Sequence, residues 1–248
     1  MPNDILGKII SIADKLDSVV GSYGIGVTPK GSKDPFALRR MMISILSILL
    51  TDGKNRINLD SLIDFAIKIV ADRCTVSISE LANDVKEAFK QRLRTIMNEK
   101  GYRYDVIESE MDESLRDLQL FLMKCDALNT CDVGQLNSIH ENILRTIKLS
   151  NSLDETGAVN TELLTLSAEI DMYNAALSAQ ESISNLISNN DYSAVLDILF
   201  SLGNDVAKFL TDVMVMDENQ NIRENRMRIM KICAKSAAKI ADFEKLRI

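Results

Sequence analysis

Apolar residues recur at intervals of three and four along most of the chain, the spacing of one buried helix face. Ile5, Ile9, Ile12, Leu16 and Val19 open the pattern. Gly21, Gly24 and Gly26 then interrupt it, which predicts a first helix ending near residue 21. Asp34-Pro35 places a capping acid and a first-turn proline before the unbroken run Phe36 to Leu50, with Gly53 as its stop. A third helix is expected from Leu59 to Ala71. Ser77 and Glu80 form a capping box for a fourth, which Gly101 ends. Further helices are predicted over 104–110, 114–125, 133–149, 162–188, 192–202, 205–215 and from 221 to about 246, with Asp132 and Asp191 as caps. The longest loop-like stretch is 150–160, and no fixed repeat or low-complexity tract is present.

Composition supports an all-α fold, a multi-helix bundle. Of 248 residues only ten are glycine and three proline, tryptophan is absent and aromatics reach 5%, so a strand-and-turn architecture lacks its favoured residues. An apolar share of 46% is enough for one large core or two modest ones. The single histidine, His140, excludes a multi-histidine metal centre and most hydrolase chemistry. Cys74, Cys125, Cys131 and Cys233 form no C-x-x-C pair and read as reduced core residues of a cytoplasmic protein. The longest nearly apolar run, Met41 to Leu50, is about half of the ~20 residues a bilayer crossing needs, and no signal peptide opens the chain. The glycines of 21–26 read G-x-x-G-x-G, but they follow a helix where a phosphate-cradling loop follows a strand. They are expected to be helix-ending and turn residues.

A net charge of −7 argues against indiscriminate polyanion binding, yet the charge is unevenly spread. Residues 221–248 hold eight Lys/Arg against three Asp/Glu, a local +5 that leaves −12 elsewhere. On a helix, Arg228, Lys231, Lys235 and Lys239 share one face, opposite Ile222, Ile229, Met230, Cys233, Ala237 and Ile240. The stripe is either a solvated face or a surface that tracks an RNA backbone. Asp105 to Leu120 is acidic, six acids against Arg116, and is expected to face solvent or a protein partner. Arg92 and Arg226 fall on apolar faces. Each is either ion-paired to an acid on another helix, with Asp105, Asp212 and Asp217 as candidates, or exposed in a cleft for a phosphate or base. Tyr102-Arg103-Tyr104 combines two flat faces with a guanidinium on a turn, suited to stacking on unpaired bases or to anchoring the turn in the core.

Several motifs carry a resemblance. Asp14-Lys15-Leu16-Asp17 with Val19-Val20-Gly21, the block Gly31 to Arg40 (GSKDPFALRR), Gly101 to Ile107 (GYRYDVI), Asn190-Asp191-Tyr192, and Val213-Met214-Val215-Met216 followed by Arg223, Asn225 and Arg226 stand in one order. Together they resemble the C-terminal part of the beta subunit of bacterial heterotetrameric glycyl-tRNA synthetase. Met1 is read as the start of a fragment. The resemblance implies the trailing helices of an HD-like domain and a connector over 1–75, then a helical anticodon-binding domain over 76–248. The family's earlier His-Asp signature is absent, so no metal role follows for Asp14 or Asp17. The acid-Ala-Leu-Arg signature of the anticodon domain is met only by Gln220-Asn221-Ile222-Arg223, which keeps the final arginine.

The implied function is tRNA recognition during charging of tRNA(Gly) with glycine. The alpha subunit uses ATP and Mg, and this chain holds no catalytic site, cofactor or metal. Implied partners are tRNA(Gly) and the alpha subunit, with neither DNA nor a membrane. The tRNA-binding candidates are Tyr102, Arg103, Tyr104, Arg223, Arg226, Arg228, Lys231 and Lys235. The alternative is a non-catalytic helical scaffold, in which the acidic run and the helix from Phe36 contact protein.

Overall fold

Short polar side chains set where the helices begin, because each takes a backbone N–H that the first turn leaves without a partner. In the computed structural model, which describes residues 2, 4–34, 36–51, 57–153 and 157–247, Asp4 accepts from Gly7 N at 2.7 Å and opens α1 (Ile5–Gly24). Asn58 does the same for α3 (Leu59–Val70), accepting from Ser61 N at 2.8 Å. Ser77 caps α4 (Ile78–Glu99) at 3.3 Å. Asp132 and Asp191 cap α7 (Val133–Ser150) and α9 (Tyr192–Asp212) at 3.0 and 3.1 Å, as expected. The remaining helices are α2 (Leu38–Thr51), α5 (Tyr104–Glu110), α6 (Leu118–Thr130), α8 (Ser167–Ser188) and α10 (Gln220–Ala237). Among the described residues there is no strand, so the fold is all-α as predicted.

The chain divides into two compact units, Met1–Leu122 and Met123–Ile248, with the boundary inside α6. The division expected at 75/76 differs, because α4 packs on α1, α2 and α3 and completes their core. Val85, Phe89, Leu93 and Met97 of α4 are fully buried with Val19, Val20, Ile45, Leu46 and Ile63. Lys86 adds two bridges from α4 to α3, to Asp60 at 2.9 Å and Asp64 at 2.8 Å. In the second unit α7 packs on α9 and α10, and α8 packs on the same two, which makes a four-helix bundle. Its core includes Ile139, Ile143, Ala176, Ile183, Val195, Leu199, Ile229 and Cys233.

Several boundaries moved for identifiable reasons. Helix α9 runs through Gly203, where a break was expected, because that residue packs against Asn142 of α7 and a β-carbon there would stand 3.4 Å from the Asn142 Cβ. The Asp34 carboxylate accepts from Leu38 N at 2.8 Å and Arg39 N at 3.1 Å, so α2 starts two residues after Phe36. Pro35 and the expected stop at Gly53 lie outside the described residues. Asp117 accepts from Gln119 N and Leu120 N, which delays α6 to Leu118. The last helix ends at Ala237, and the following turns bury Ile240, Phe243 and Leu246. Cys125 and Cys233 are buried as expected, whereas Cys74 and Cys131 are half-buried. Burial pushes the Cys233 thiol up to about 12.

The 21–26 glycines end a helix. Gly24 closes α1, and its carbonyl accepts from Thr75 N at 2.7 Å. A β-carbon on Gly24 would lie 2.8 Å from the Cys74 Sγ, with Leu81 Cδ2 next at 3.7 Å. Gly24→Ala is expected to lower stability by about 1–3 kcal/mol through overpacking. Adding Cys74→Ala should recover most of that loss. Urea unfolding of the two single variants and the double variant measures the coupling.

Candidate nucleic-acid interface

Helix α10 carries most of the local positive charge, and its faces divide the work. Asn225, Arg226, Met227, Ile229, Met230 and Cys233 are buried, while Arg223, Arg228 and Lys231 are half-buried and Lys235 is exposed. The expected stripe is therefore not uniformly solvated. Lys231 donates to the Leu153 carbonyl at 2.6 Å. The Arg228 guanidinium lies so close to Gly157 that a β-carbon there would collide with it, and it also meets Glu224 at 3.5 Å. Asn225 completes the contact: its Oδ1 accepts from Asn160 N at 2.7 Å and its Nδ2 donates to the Asn160 carbonyl at 3.0 Å. Both ends of the α7–α8 connection are thus tied to α10. Lys239 follows the helix and donates to Ser184 of α8 at 2.8 Å while staying exposed.

Arg226 is not available to RNA. Its side chain is 8% exposed, and its Nε donates to Glu169 Oε1 at 2.6 Å. Its Nη1 donates to Asp217 at 2.8 Å and to the Met214 carbonyl at 2.8 Å. Asp217 was among the expected partners and Glu169 was not. The other oxygen of Glu169 accepts from Thr165 N and Leu166 N, each at 2.9 Å, and so opens α8. That capping explains why α8 begins at Ser167, with only a 3₁₀ turn over Thr161–Leu163 where the helix was expected to start. A sequence signal existed: Glu169 lies on the same stripe as Met172, Ala176 and Ile183, an acid among apolar positions that answers an arginine among apolar positions. The Asn219 backbone N–H and then the Arg226 guanidinium hold the Asp217 carboxyl below the usual carboxylate range. Arg223 donates to the Asp217 carbonyl at 2.9 Å, which leaves it half-exposed at the start of α10.

The three turn residues lie in the first unit, apart from the α10 candidates in the second. Gly101 adopts φ +88 and ends α4, Tyr102 is half-buried, and Tyr104 is exposed. Arg103 pairs with Asp105 through two bonds, at 3.1 and 2.5 Å. The acidic run is largely spent inside the unit, which corrects the expectation of a solvated face: Glu108 takes Arg94 of α4 at 2.6 Å, Asp117 caps α6, and Asp105 and Glu110 are buried. Arg92 has no ion pair among the described residues and is half-exposed, so the expected buried pair is absent there. His140 is half-buried on α7, its Nε2 without a hydrogen-bond partner among the described residues. In the second unit the α8–α9 face carries Asp171, Asp205 and Asp212 against Lys208, which disfavours phosphate there.

Comparison with known proteins fits this division. Residues 1–112 match the family described as glycyl-tRNA synthetase beta subunit, and residues 139–243 match the DALR anticodon binding domain. The chain is 30% identical to the glycine–tRNA ligase beta subunit of Syntrophus aciditrophicus, over 99% of its own length and 36% of the relative. The subunits of Desulforudis audaxviator and Clostridioides difficile are 31% and 30% identical, with the same shares of 99% and 36%. The chain belongs to the glycyl-tRNA synthetase beta-subunit family. It spans about a third of the length of these relatives. Within this beta-subunit chain the DALR match runs from inside α7 to Phe243, so the Arg226–Glu169 pair and the tied connection are parts of that domain. No described helix is long and apolar enough to cross a membrane.

Removing Arg226 strands a buried carboxylate. Arg226→Ala is expected to cost about 3–5 kcal/mol, and adding Glu169→Gln should return part of it by removing the stranded charge. Denaturant unfolding of both variants provides the check. The sign with pH follows from the lowered Asp217 value: its contribution is in place above about pH 4 and is lost as pH falls through the folded value. In Arg226→Ala that acid sensitivity should diminish.

Proposed function

We propose that this chain is the tRNA-contacting portion of a glycyl-tRNA synthetase beta subunit, in which the DALR domain receives the anticodon arm of tRNA(Gly). The observation that carries the reading is the cationic side of α10 and the turn after it, within the matched domain: Lys235 and Lys239 are exposed and Arg223 and Arg228 half-exposed. Phosphates are met by such a surface through charge alone, while discrimination between anticodons needs flat or bidentate groups that reach base edges. Arg223 at the head of α10 is the candidate of the second kind in this unit. Tyr102 and Tyr104 in the first unit remain candidates for stacking, with Arg103 as the guanidinium that Asp105 orients between them. In this reading ATP, Mg and glycine activation belong to the alpha subunit, the assembled enzyme is a heterotetramer, and charging takes place in the cytoplasm.

The decisive experiment is an anisotropy titration with tRNA(Gly), with the same tRNA carrying anticodon substitutions, and with an unrelated RNA of matched length. Preferential binding of tRNA(Gly) supports the reading, and equal binding of all three removes it. Lys235→Ala and Lys239→Ala should each weaken binding whatever the anticodon and reduce the slope of log K against log salt by about one unit. An unchanged slope would make the α10 charges a solvated face. Lys231→Ala and Arg228→Ala should instead act mainly on stability, since those side chains hold the α7–α8 connection. The chain alone is expected to show no glycine-dependent pyrophosphate exchange, and a measurable exchange rate would place chemistry here.

A further inference from the structure

The first unit leaves an apolar face uncovered. Ile9 and Leu16 of α1 and Phe65 and Ile69 of α3 line a groove of about 420 Å³ whose lining has one charged residue, the exposed Asp17. Phe65 is 62% exposed, and Ile5, Leu6 and Ile10 of α1 extend the surface with further exposed aliphatic side chains. Soluble domains seldom keep so many large apolar groups together in water unless the face receives a partner.

Three occupants differ in chemistry. RNA is disfavoured, because the groove offers no cation and its charged group is a carboxylate. A second copy of this chain would bring two identical acidic rims together around the same seam. The third occupant follows from length: the chain covers 36% of the beta subunits it matches, so most of such a subunit lies outside it and must be seated against something. We infer that the α1–α3 groove is the seat for that remaining part of the beta subunit, which lays an apolar segment along Ile9, Phe65 and Ile69 and brings a basic side chain to Asp17. The inference rests on family membership and not on the tRNA reading.

The test mixes this chain with the rest of the beta subunit, produced as a separate polypeptide, and follows association by light scattering after size exclusion and by an anisotropy titration. The parent pair is expected to form a one-to-one complex. Ile9→Asp with Phe65→Asp should weaken it at least tenfold, and Asp17→Lys should weaken it less and make it less salt-sensitive. Val133→Asp, at an exposed apolar position in the other unit, should leave it unchanged. Circular dichroism melting curves of the groove variants should match the parent because the substituted side chains are exposed. No association of the parent, or full association of the double variant, overturns the inference. So does a parent homodimer that the double variant dissolves. Titration with tRNA(Gly) separates the two readings: the groove variants should bind it as the parent does, so loss of tRNA binding throughout would strike the proposed function and leave the groove inference standing.

Discussion

The bond from Arg226 to Glu169 organises the second unit. A carboxylate with 1% exposure and a guanidinium with 8% cannot be left separately in an apolar interior, so every element that contributes to the pair is held to one geometry. Glu169 spends one oxygen on the arginine and the other on the first turn of α8. Arg226 spends one nitrogen on the acid and another on the connection from α9 to α10, through Asp217 and the Met214 carbonyl. One desolvated ion pair therefore fixes the start of α8, the register of α10 and the path of the loop between α9 and α10. The burial that makes Arg226 a good organiser removes it from any role toward a polyanion.

That assignment changes how the charge of α10 is counted. By sequence the segment from 221 onward is a uniform basic stripe. Arg226 is internal, Lys231 is tied to the Leu153 carbonyl, and Arg228 lies over Gly157. The surface left to meet phosphate is smaller and sits mainly toward the C-terminal half, at Lys235 and Lys239, with Arg223 at the other end. A helix periodicity assigns residues to faces but does not say which chain segment crosses each face. Here the α7–α8 connection crosses the basic one, held also by the reciprocal amide bonds between Asn160 and Asn225.

How much was legible in the sequence follows from the range over which each signal acts. The helical class and the caps at Asp132, Asp191 and Ser77 depend on neighbours within one turn, and they were read correctly. Gly203 was misread as a break because its lack of a side chain serves contact with Asn142, sixty-one positions away. The acidic run was misread for the same reason: Glu108 finds Arg94 across a helix boundary, and no local pattern announces that pairing. Arg92 and Arg226 looked alike as misfits on apolar faces, yet only Arg226 faces a second misfit, Glu169, on a packed helix. The informative feature was the complementary pair of exceptions on α8 and α10, which a single-helix projection does not display.

The two units expose surpluses of different chemistry. In the first, ionic groups are heavily engaged with one another, Lys86 with Asp60 and Asp64, Arg94 with Glu108 and Arg103 with Asp105, while large apolar side chains of α1 and α3 stand in water. In the second, the matched DALR domain packs its apolar residues between four helices and keeps cations outside on α10. Apolar surface gains by removal from water and carries no preference for charge, whereas exposed lysines gain by releasing the counterions of a polyanion. A net charge of −7 is therefore compatible with RNA contact, because what a polyanion meets is the local field of one helix face. Each unit is thus suited to a different class of partner.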